Sequence, residues 1–321
     1  MPMALVGIDL GGTQLRVAVA DDRGRLRTVV RRPTEAARGR QHVIGRIVAA
    51  VADALAEDGT AASRVHALGI GLPGPVDPSA GLVISPANLP GFRNVPLNRI
   101  LTRGTGIRSY LHHDAHLAAL GEHRRGAGRG ASELIYVTVS TGIGAGLLIR
   151  GELYAGAHGS AGEIGHIVVQ KDGPVCTCGN RGCVEVLASG TGIARAAREL
   201  GAKTPESALH RLDSPSAEDV VRAARAGDQL AISILETAGA YLGIAMGTLV
   251  NLFNPQLIVL GGSVLKAGAP LLTPMRRSML ASSWKAARRG LRIVRPALGD
   301  DVGLIGAVEF ARLRAGHARP A

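Results

Sequence analysis

Hydrophobic positions near the N-terminus alternate in short runs separated by glycine. Leu5 to Leu10 predicts a strand, Gly11-Gly12-Thr13 a tight turn, and Leu15 to Ala20 a second strand. Asp22-Arg23-Gly24 then turns the chain into a third strand near Leu26 to Val30. The period changes after that. Val43, Ile47, Val51 and Leu55 recur every four residues, which predicts a helix from about Gln41 to Glu57 with one apolar face. Val65 to Leu72 predicts a further strand, stopped by Pro73-Gly74-Pro75. Ile107 to Leu111 predicts another, after which Asp114 opens a helix through His123. A last helix, from Asp301 to Arg314, is expected to pack back on this first half.

The opening pattern returns in the middle of the chain. Leu134 to Val139 predicts a strand, Thr141-Gly142-Ile143-Gly144 a glycine turn, and Ala145 to Ile149 a strand. Gly151-Glu152 then leads into a short extended piece at Leu153-Tyr154. Two copies of one unit predict an α/β fold of two lobes with related topology, the two glycine turns facing one another across a cleft. A third glycine turn, Gly261-Gly262, follows the strand expected at Leu257 to Leu260. The expected division is a small lobe of residues 1–113 joined by about 301–321, and a large lobe of residues 114–300. The uncharged run Thr237 to Phe253 contains Gly239, Gly243 and Gly247 and ends at Asn254-Pro255. A bilayer span needs roughly 20 mostly apolar residues, so this run predicts a buried helix.

Composition changes the picture in two places. Hydrophobic residues make up 46% of the 321, yet aromatics only 2%, so the core must be built from Ala, Val, Leu and Ile. The net charge of +12 comes almost wholly from arginine, because lysine occurs only at 171, 203, 266 and 285. Such a balance invites a nucleic-acid reading. The arginines, however, fall in separated pairs (Arg31-Arg32, Arg124-Arg125, Arg276-Arg277, Arg288-Arg289), which predicts a generally basic surface instead. The first apolar stretch, Met3 to Leu10, is short and already contains Asp9, unlike a secretory signal. A soluble, cytoplasmic protein is expected, with neither a nucleic acid nor a membrane as partner.

Glycine after a strand lets backbone N–H groups converge on an anion with no Cβ in the way. Asp9-Leu10-Gly11-Gly12-Thr13 places an acid, two glycines and a hydroxyl together, which suits a phosphate with a magnesium ion near Asp9. Thr141-Gly142-Ile143-Gly144 occupies the matching place in the second copy, and the pairing strengthens both. The P-loop signature is absent. All three cysteines fall in Cys176-Thr177-Cys178-Gly179-Asn180-Arg181-Gly182-Cys183. Their odd number argues against disulfides, and His166 supplies a fourth ligand ten residues earlier. Cys₃His is a closed tetrahedral set, expected to hold structural zinc within segment 166–183 of the larger lobe.

Seven stretches in order resemble the ROK family (repressor, open reading frame, kinase) of the actin-like ATPase superfamily. They are Asp9 to Thr13, Gly71 to Asp77, Pro86 to Gly91, Ser140 to Gly146, Gly162 to His166, the cysteine run through Glu185, and Val259 to Gly262. The resemblance implies a duplicated, ribonuclease H-like fold that binds ATP and a sugar in its cleft. It implies phosphate loops at Asp9, Gly11, Gly12, Thr13 and at Thr141, Gly142, Gly144, with Gly261-Gly262 on the adenosine side. Asn88, His113, Asp114, Glu163, His166 and Glu185 fall on the family's sugar contacts, so His166 would hold zinc and touch a sugar hydroxyl. Dimers or larger homo-oligomers are common in such proteins and are expected here.

A sugar hydroxyl is a poor nucleophile at neutral pH, so a carboxylate beside it must accept its proton during attack. Asp114 is the expected base, with Glu163 and Glu185 orienting hydroxyls. The reaction implied is transfer of the γ-phosphate of ATP, with magnesium, to the 6-hydroxyl of a hexose, glucose first. N-acetylmannosamine, N-acetylglucosamine or fructose are the alternatives, and a non-catalytic sugar-binding protein is another. One departure bears on the sugar. The family pattern Asn-Asp-Ala-Asn reads His113-Asp114-Ala115-His116 here. A second metal site at His112, His113 and His116 is not expected, because neighbouring strand side chains point to opposite faces.

Overall fold

The N-terminal alternation becomes a five-stranded sheet buried on both faces. The computed structural model describes residues 3–317. In chain order the first elements are β1 (Ala4–Leu10), β2 (Gln14–Ala20), β3 (Leu26–Pro33), α1 (Arg40–Asp58) and β4 (Val65–Leu72). A small hairpin follows, β5 (Val76–Asp77) and β6 (Leu82–Val83), then α2 (Leu97–Thr105), β7 (Ser109–His113) and α3 (Asp114–Arg125). The sheet runs β3-β2-β1-β4-β7, with β2 antiparallel to β1 and β3, and β4 parallel to β1 and β7.

The rest comprises β8 (Leu134–Val139), β9 (Ile143–Ile149), β10 (Glu152–Tyr154), α4 (Val184–Ala188), α5 (Gly190–Gly201), α6 (Ala217–Arg225), α7 (Gln229–Phe253), β11 (Leu257–Gly261), α8 (Ala269–Ser282), β12 (Arg292–Val294) and α9 (Val302–His317). The second sheet runs β10-β9-β8-β11-β12. Each sheet therefore places the third, second and first strands of its copy side by side, followed by two later strands. This shared order is the duplication that the repeated strand and glycine pattern predicts.

The chain forms two compact units. One holds the residues up to Tyr136, Gly146–Ala161 and those from Pro296 onward; the other holds Val137–Ala145 and Gly162–Arg295. In the first unit, β1 sends Val6, Ile8 and Leu10 to one face, where they pack with Val17 and Val19 and with Val43, Ile47 and Val51 of α1. Each such side chain contributes about 1.5–3 kcal/mol on burial. Leu5 and Ala67 point the other way, against Val308 and Ala311 of α9. The last helix thus covers the sheet's second face. Its approach is close: a Cβ on Gly69 would overlap the Ala307 carbonyl. Glu122 of α3, fully buried, accepts the backbone N–H groups of Ala297 and Leu298 at 2.9 Å and so fixes the segment leading into α9.

In the second unit α7 lies along α8. A Cβ on Gly239, Gly243 or Gly247 would meet Leu271, Met275 and Ser282 in turn, so the glycine stripe is the seam of a tight helix pair. By length and composition α7 could cross a membrane, but 56% of its apolar window is buried inside the protein. It is the core helix that its glycines predict.

Several boundaries differ from expectation: β3 runs on to Pro33 rather than ending near Val30, β7 begins at Ser109 rather than Ile107, and two more lie beside the site. β7 runs to His113 rather than stopping at Leu111. The reason is that His112 is buried and behaves as part of the apolar layer. β9 begins at Ile143 rather than Ala145, so the turn before it is shorter than the glycine spacing suggests.

Candidate functional site

Asp9 stands at the end of β1, opposite Arg16 of β2 in the sheet register. The Arg16 guanidinium bonds both the Asp9 carboxylate and the carbonyl of Asp300. Burial pushes the Asp9 carboxyl above the usual carboxylate range; Arg16 pulls it down, and the nearby Asp114 carboxylate pushes it up again. Two carboxylates with one fixed cation form a set short of positive charge. That set suits a hydrated magnesium ion, with Asp9 as the residue that would hold it.

The turn after Asp9 is tied by backbone and by Thr34. Gly11 N–H donates to Gln14 O at 2.8 Å, Thr34 N–H donates to Thr13 O at 2.8 Å, and the Thr34 hydroxyl donates to Gly11 O at 2.7 Å. Gly12 faces Asn88, and a Cβ on it would lie 3.0 Å from Asn88 Cβ. Asn88 itself is exposed, on a loop anchored by the buried Leu89 and Phe92. The structure therefore brings Asp9, Gly12, Asn88 and Asp114 into one neighbourhood.

Asp114 is the first residue of α3, and His113 caps that helix. Ala115 N–H donates to Asp114 Oδ1 at 2.6 Å and to His113 Nδ1 at 3.2 Å. His113 Nδ1 lies 3.3 Å from Asp114 Oδ1, and the Asp114 side chain is 44% exposed. A carboxylate held by one oxygen and open to solvent at the other is suited to take a proton.

Behind it, His116 Nε2–H donates to Ala161 O at 2.6 Å, and its ring meets that of His112 edge-on at 4.9 Å. Burial first, and then His113, lower the His116 pKa to about 4. His112 is lowered well below the ordinary histidine range, again by burial first and by His116 next. Both rings are neutral at physiological pH. They back the site and pair with each other.

In the second unit the four expected metal ligands converge: the ligand atoms of His166, Cys176, Cys178 and Cys183 all lie within 4.8 Å of one another. His166 Nδ1 lies 3.7 Å from Cys176 Sγ, and Cys178 Sγ lies 3.7 Å from Cys183 Sγ. A Zn–S bond of about 2.3 Å in a tetrahedron sets sulfurs about 3.8 Å apart, whereas a disulfide needs about 2.0 Å. The spacing fits a zinc ion and excludes a disulfide. Burial, helped by Cys178 and Cys176, pushes the Cys183 thiol up to about 12. A cation at the centre would reverse that.

The same segment positions three of the expected sugar contacts. Glu163 caps the short 3₁₀ turn Ile164–His166, and Cys183 caps α4, whose first turn carries Glu185. Glu185 Oε2 accepts Ile143 N–H at 2.9 Å and lies against Gly142. The carboxylate thus steadies the Thr141 turn from the side. That turn opens onto a cavity of about 640 Å³. Its floor is Ser140, Thr141, Gly190, Thr191 and Ser263, with Ile193, Val221 and Val264 as an apolar wall and Arg222, Arg225 and Lys266 among its lining. Gly190 N–H donates to Ser140 O at 2.7 Å, and Ser263 N–H to Ser140 Oγ at 3.1 Å, so three chain segments meet at Ser140. The N-terminus of α5 opens here, where backbone N–H groups favour an anion. Gly262 sits against the Val139 backbone, where a side chain would not fit.

Residues 5–314 match the ROK family. The chain belongs to that family. It is 35% identical over 318 residues to a glucokinase of Thermotoga maritima, covering 98% of this chain and 99% of that one. Among solved structures, it is similar to the ROK hexokinase from Thermus thermophilus, with a TM-score of 0.83, 35% identity and 98% and 100% of the two chains covered. A second is a ROK family glucokinase from Streptomyces griseus in complex with glucose and AMPPNP, with a TM-score of 0.81, 33% identity and coverage of 97% and 99%. The family's actin-like ATPase fold is the fold of this chain. Sequence reasoning named the glycine turns, Asp114 and the four side chains that the structure gathers at His166, Cys176, Cys178 and Cys183. It missed Arg16, Thr34 and Asp300. Only Arg16 left a signal, as a charge seven residues after Asp9 inside an apolar strand.

Proposed function

We infer that the chain is an ATP-dependent glucokinase that transfers the γ-phosphate of ATP to the 6-hydroxyl of glucose. The observation that carries this reading is the end-to-end similarity to glucokinases, at 35% identity and nearly full coverage of both chains. The site chemistry supports it. Asp114 takes the proton of the sugar hydroxyl as that oxygen bonds to the γ-phosphorus and the bond to the leaving ADP oxygen breaks. Asn88, His113, Glu163, His166 and Glu185 orient the sugar. The Gly11-Gly12-Thr13 and Thr141-Gly142 turns hold phosphates, and the cavity beside Ser140 takes the nucleoside, with Gly261-Gly262 at its edge. Magnesium, when bound near Asp9, neutralises phosphate charge.

Zinc at His166, Cys176, Cys178 and Cys183 fixes the turn that bears Glu163 and the helix that bears Glu185, so its part is to order a binding wall. A cytoplasmic homodimer is the setting this reading carries over from the family. The test is ADP release from magnesium-ATP across a panel of hexoses and N-acetylhexosamines, with zinc measured by elemental analysis on the same sample. Selective turnover with glucose is expected. Turnover with an N-acetylhexosamine alone would move the substrate, and no sugar-stimulated turnover in a folded, zinc-replete sample would overturn the kinase reading.

A further inference from the structure

The far end of the α7–α8 pair has no part in the chemistry above, yet it exposes large apolar side chains. Leu252 is 70% exposed, Leu280 43% and Trp284, the chain's single tryptophan, 72%. They are held together by a fixed frame. Asn251 Nδ2–H donates to Ser282 O at 3.0 Å, Trp284 N–H donates to Asn251 Oδ1 at 2.7 Å, and Asn254 Nδ2–H donates to Ala287 O at 2.5 Å. The Arg288 guanidinium reaches back to the Leu280 carbonyl. The end of α7 and the turn after α8 therefore form one edge.

Charge on this edge has a single sign. Arg276 and Arg277 precede Leu280 by four and three residues on α8 and share its exposed face. Lys285, Arg288 and Arg289 follow Trp284 on the turn. No Asp or Glu occurs from Leu257 to Gly299, and none of these five cations joins an ion pair among the described residues. Two arginine pairs that look scattered along the chain are gathered around one apolar edge.

We propose that this edge docks on the surface of an anionic lipid bilayer, with Trp284, Leu280 and Leu252 entering the headgroup region and the five cations meeting lipid phosphates. Each class of residue has a use there. Tryptophan settles at the headgroup level, leucine enters the acyl boundary, and cations add attraction to an anionic leaflet. Single-stranded nucleic acid would use the cations and stack on Trp284, but it gives the two leucines nothing to do. A second copy meeting this face across a two-fold axis would set its cations against their own like. Surface docking needs no membrane span, so it is consistent with α7 being a core helix.

The single tryptophan is its own reporter. Full-length protein is mixed with phosphatidylcholine vesicles, with and without phosphatidylglycerol, at low and at physiological salt. A blue shift of Trp284 emission and co-sedimentation with the anionic vesicles only, weakened by salt, is expected. The double variant Arg288→Glu, Arg289→Glu should lower partitioning at least about tenfold, while its kinase activity in solution stays that of the wild type. The milder Trp284→Phe should keep part of the binding. No shift with anionic vesicles would overturn the proposal. A shift produced instead by a single-stranded oligonucleotide, or by raising protein concentration with dimer formation and no lipid, would equally overturn it and assign the edge to that partner.

Discussion

The turn after β1 and the turn after β8 hold the same place in two sheets of the same strand order, yet they are built by different means. The first brings side-chain charge: Asp9 on the strand, Arg16 bonded to it, and Asp114 close enough to raise its pKa. The second carries no charge of its own. It offers Thr141, glycine and backbone N–H groups, and borrows a carboxylate, Glu185, from a helix capped by a cysteine of the Cys₃His cluster. Duplication preserved the frame and let the chemistry diverge. A buried ionic set can be tuned by pH and by metal, whereas a backbone cradle is set by how rigidly it is held. The Cys₃His segment, through Glu185, braces the second turn, and Thr34 braces the first.

The sharpest way to break this contrast is at Asp114. If proton transfer lives only on the charged side, Asp114→Asn should lower kcat about a thousandfold. Glucose affinity, measured by calorimetry, should change little. The amide keeps the size and the Ala115 contact but cannot accept a proton. A variant that turns over at even a tenth of the wild-type rate would sink the assignment and move the base elsewhere.

Arg16→Gln is the next test, with a smaller effect. Asp9 must be ionised to serve a metal, and its carboxyl is already raised by burial. Removing the Arg16 charge takes away the first opposing influence, so the Asp9 carboxyl rises further and the acid limb of kcat/KM should move to higher pH. A loss of about tenfold at pH 6, shrinking toward pH 8, is expected, since one pKa unit corresponds to a factor of ten in ionisation. An equal loss at every pH would mean that Arg16 acts by shape alone.

What the sequence revealed of this site follows the same contrast. Turns announce themselves, because glycine and an acid after an apolar run have few other uses; both glycine turns, Gly261-Gly262 and the Cys₃His set were legible. The strands β4 and β8 were read to the residue, since their ends are marked by proline, glycine or serine. Partners that come from far along the chain were not. Asp300 reaches Arg16 across 284 positions, and Glu122 binds Ala297 across 175, with nothing local to show either. The end of β7 was misread for another reason. Histidine counts as polar in a pattern, but a neutral imidazole with a partner can be buried like an aromatic ring.

That burial gives the last prediction, which concerns stability and barely touches turnover at pH 7. His116 is 1% exposed, and its pKa is lowered to about 4 from the ordinary 6.5. The groups facing it are His112, His113, Asp114 and the Ala161 carbonyl. Because the folded pKa lies below the unfolded one, the unfolded chain binds a proton first as pH falls. Stability from this group is complete above about pH 6.5 and is lost progressively down to about pH 4. Between pH 7 and pH 5 the loss should be about 2 kcal/mol. Replacing the ring by an amide, His116→Asn, keeps a donor for Ala161 and removes the titration. Urea midpoints of the two proteins at pH 7 and pH 5 should then fall by different amounts, the variant's less. Equal falls would show that His116 takes up its proton within the fold as readily as in the unfolded chain, and that the ring pair behind Asp114 is not a neutral wall.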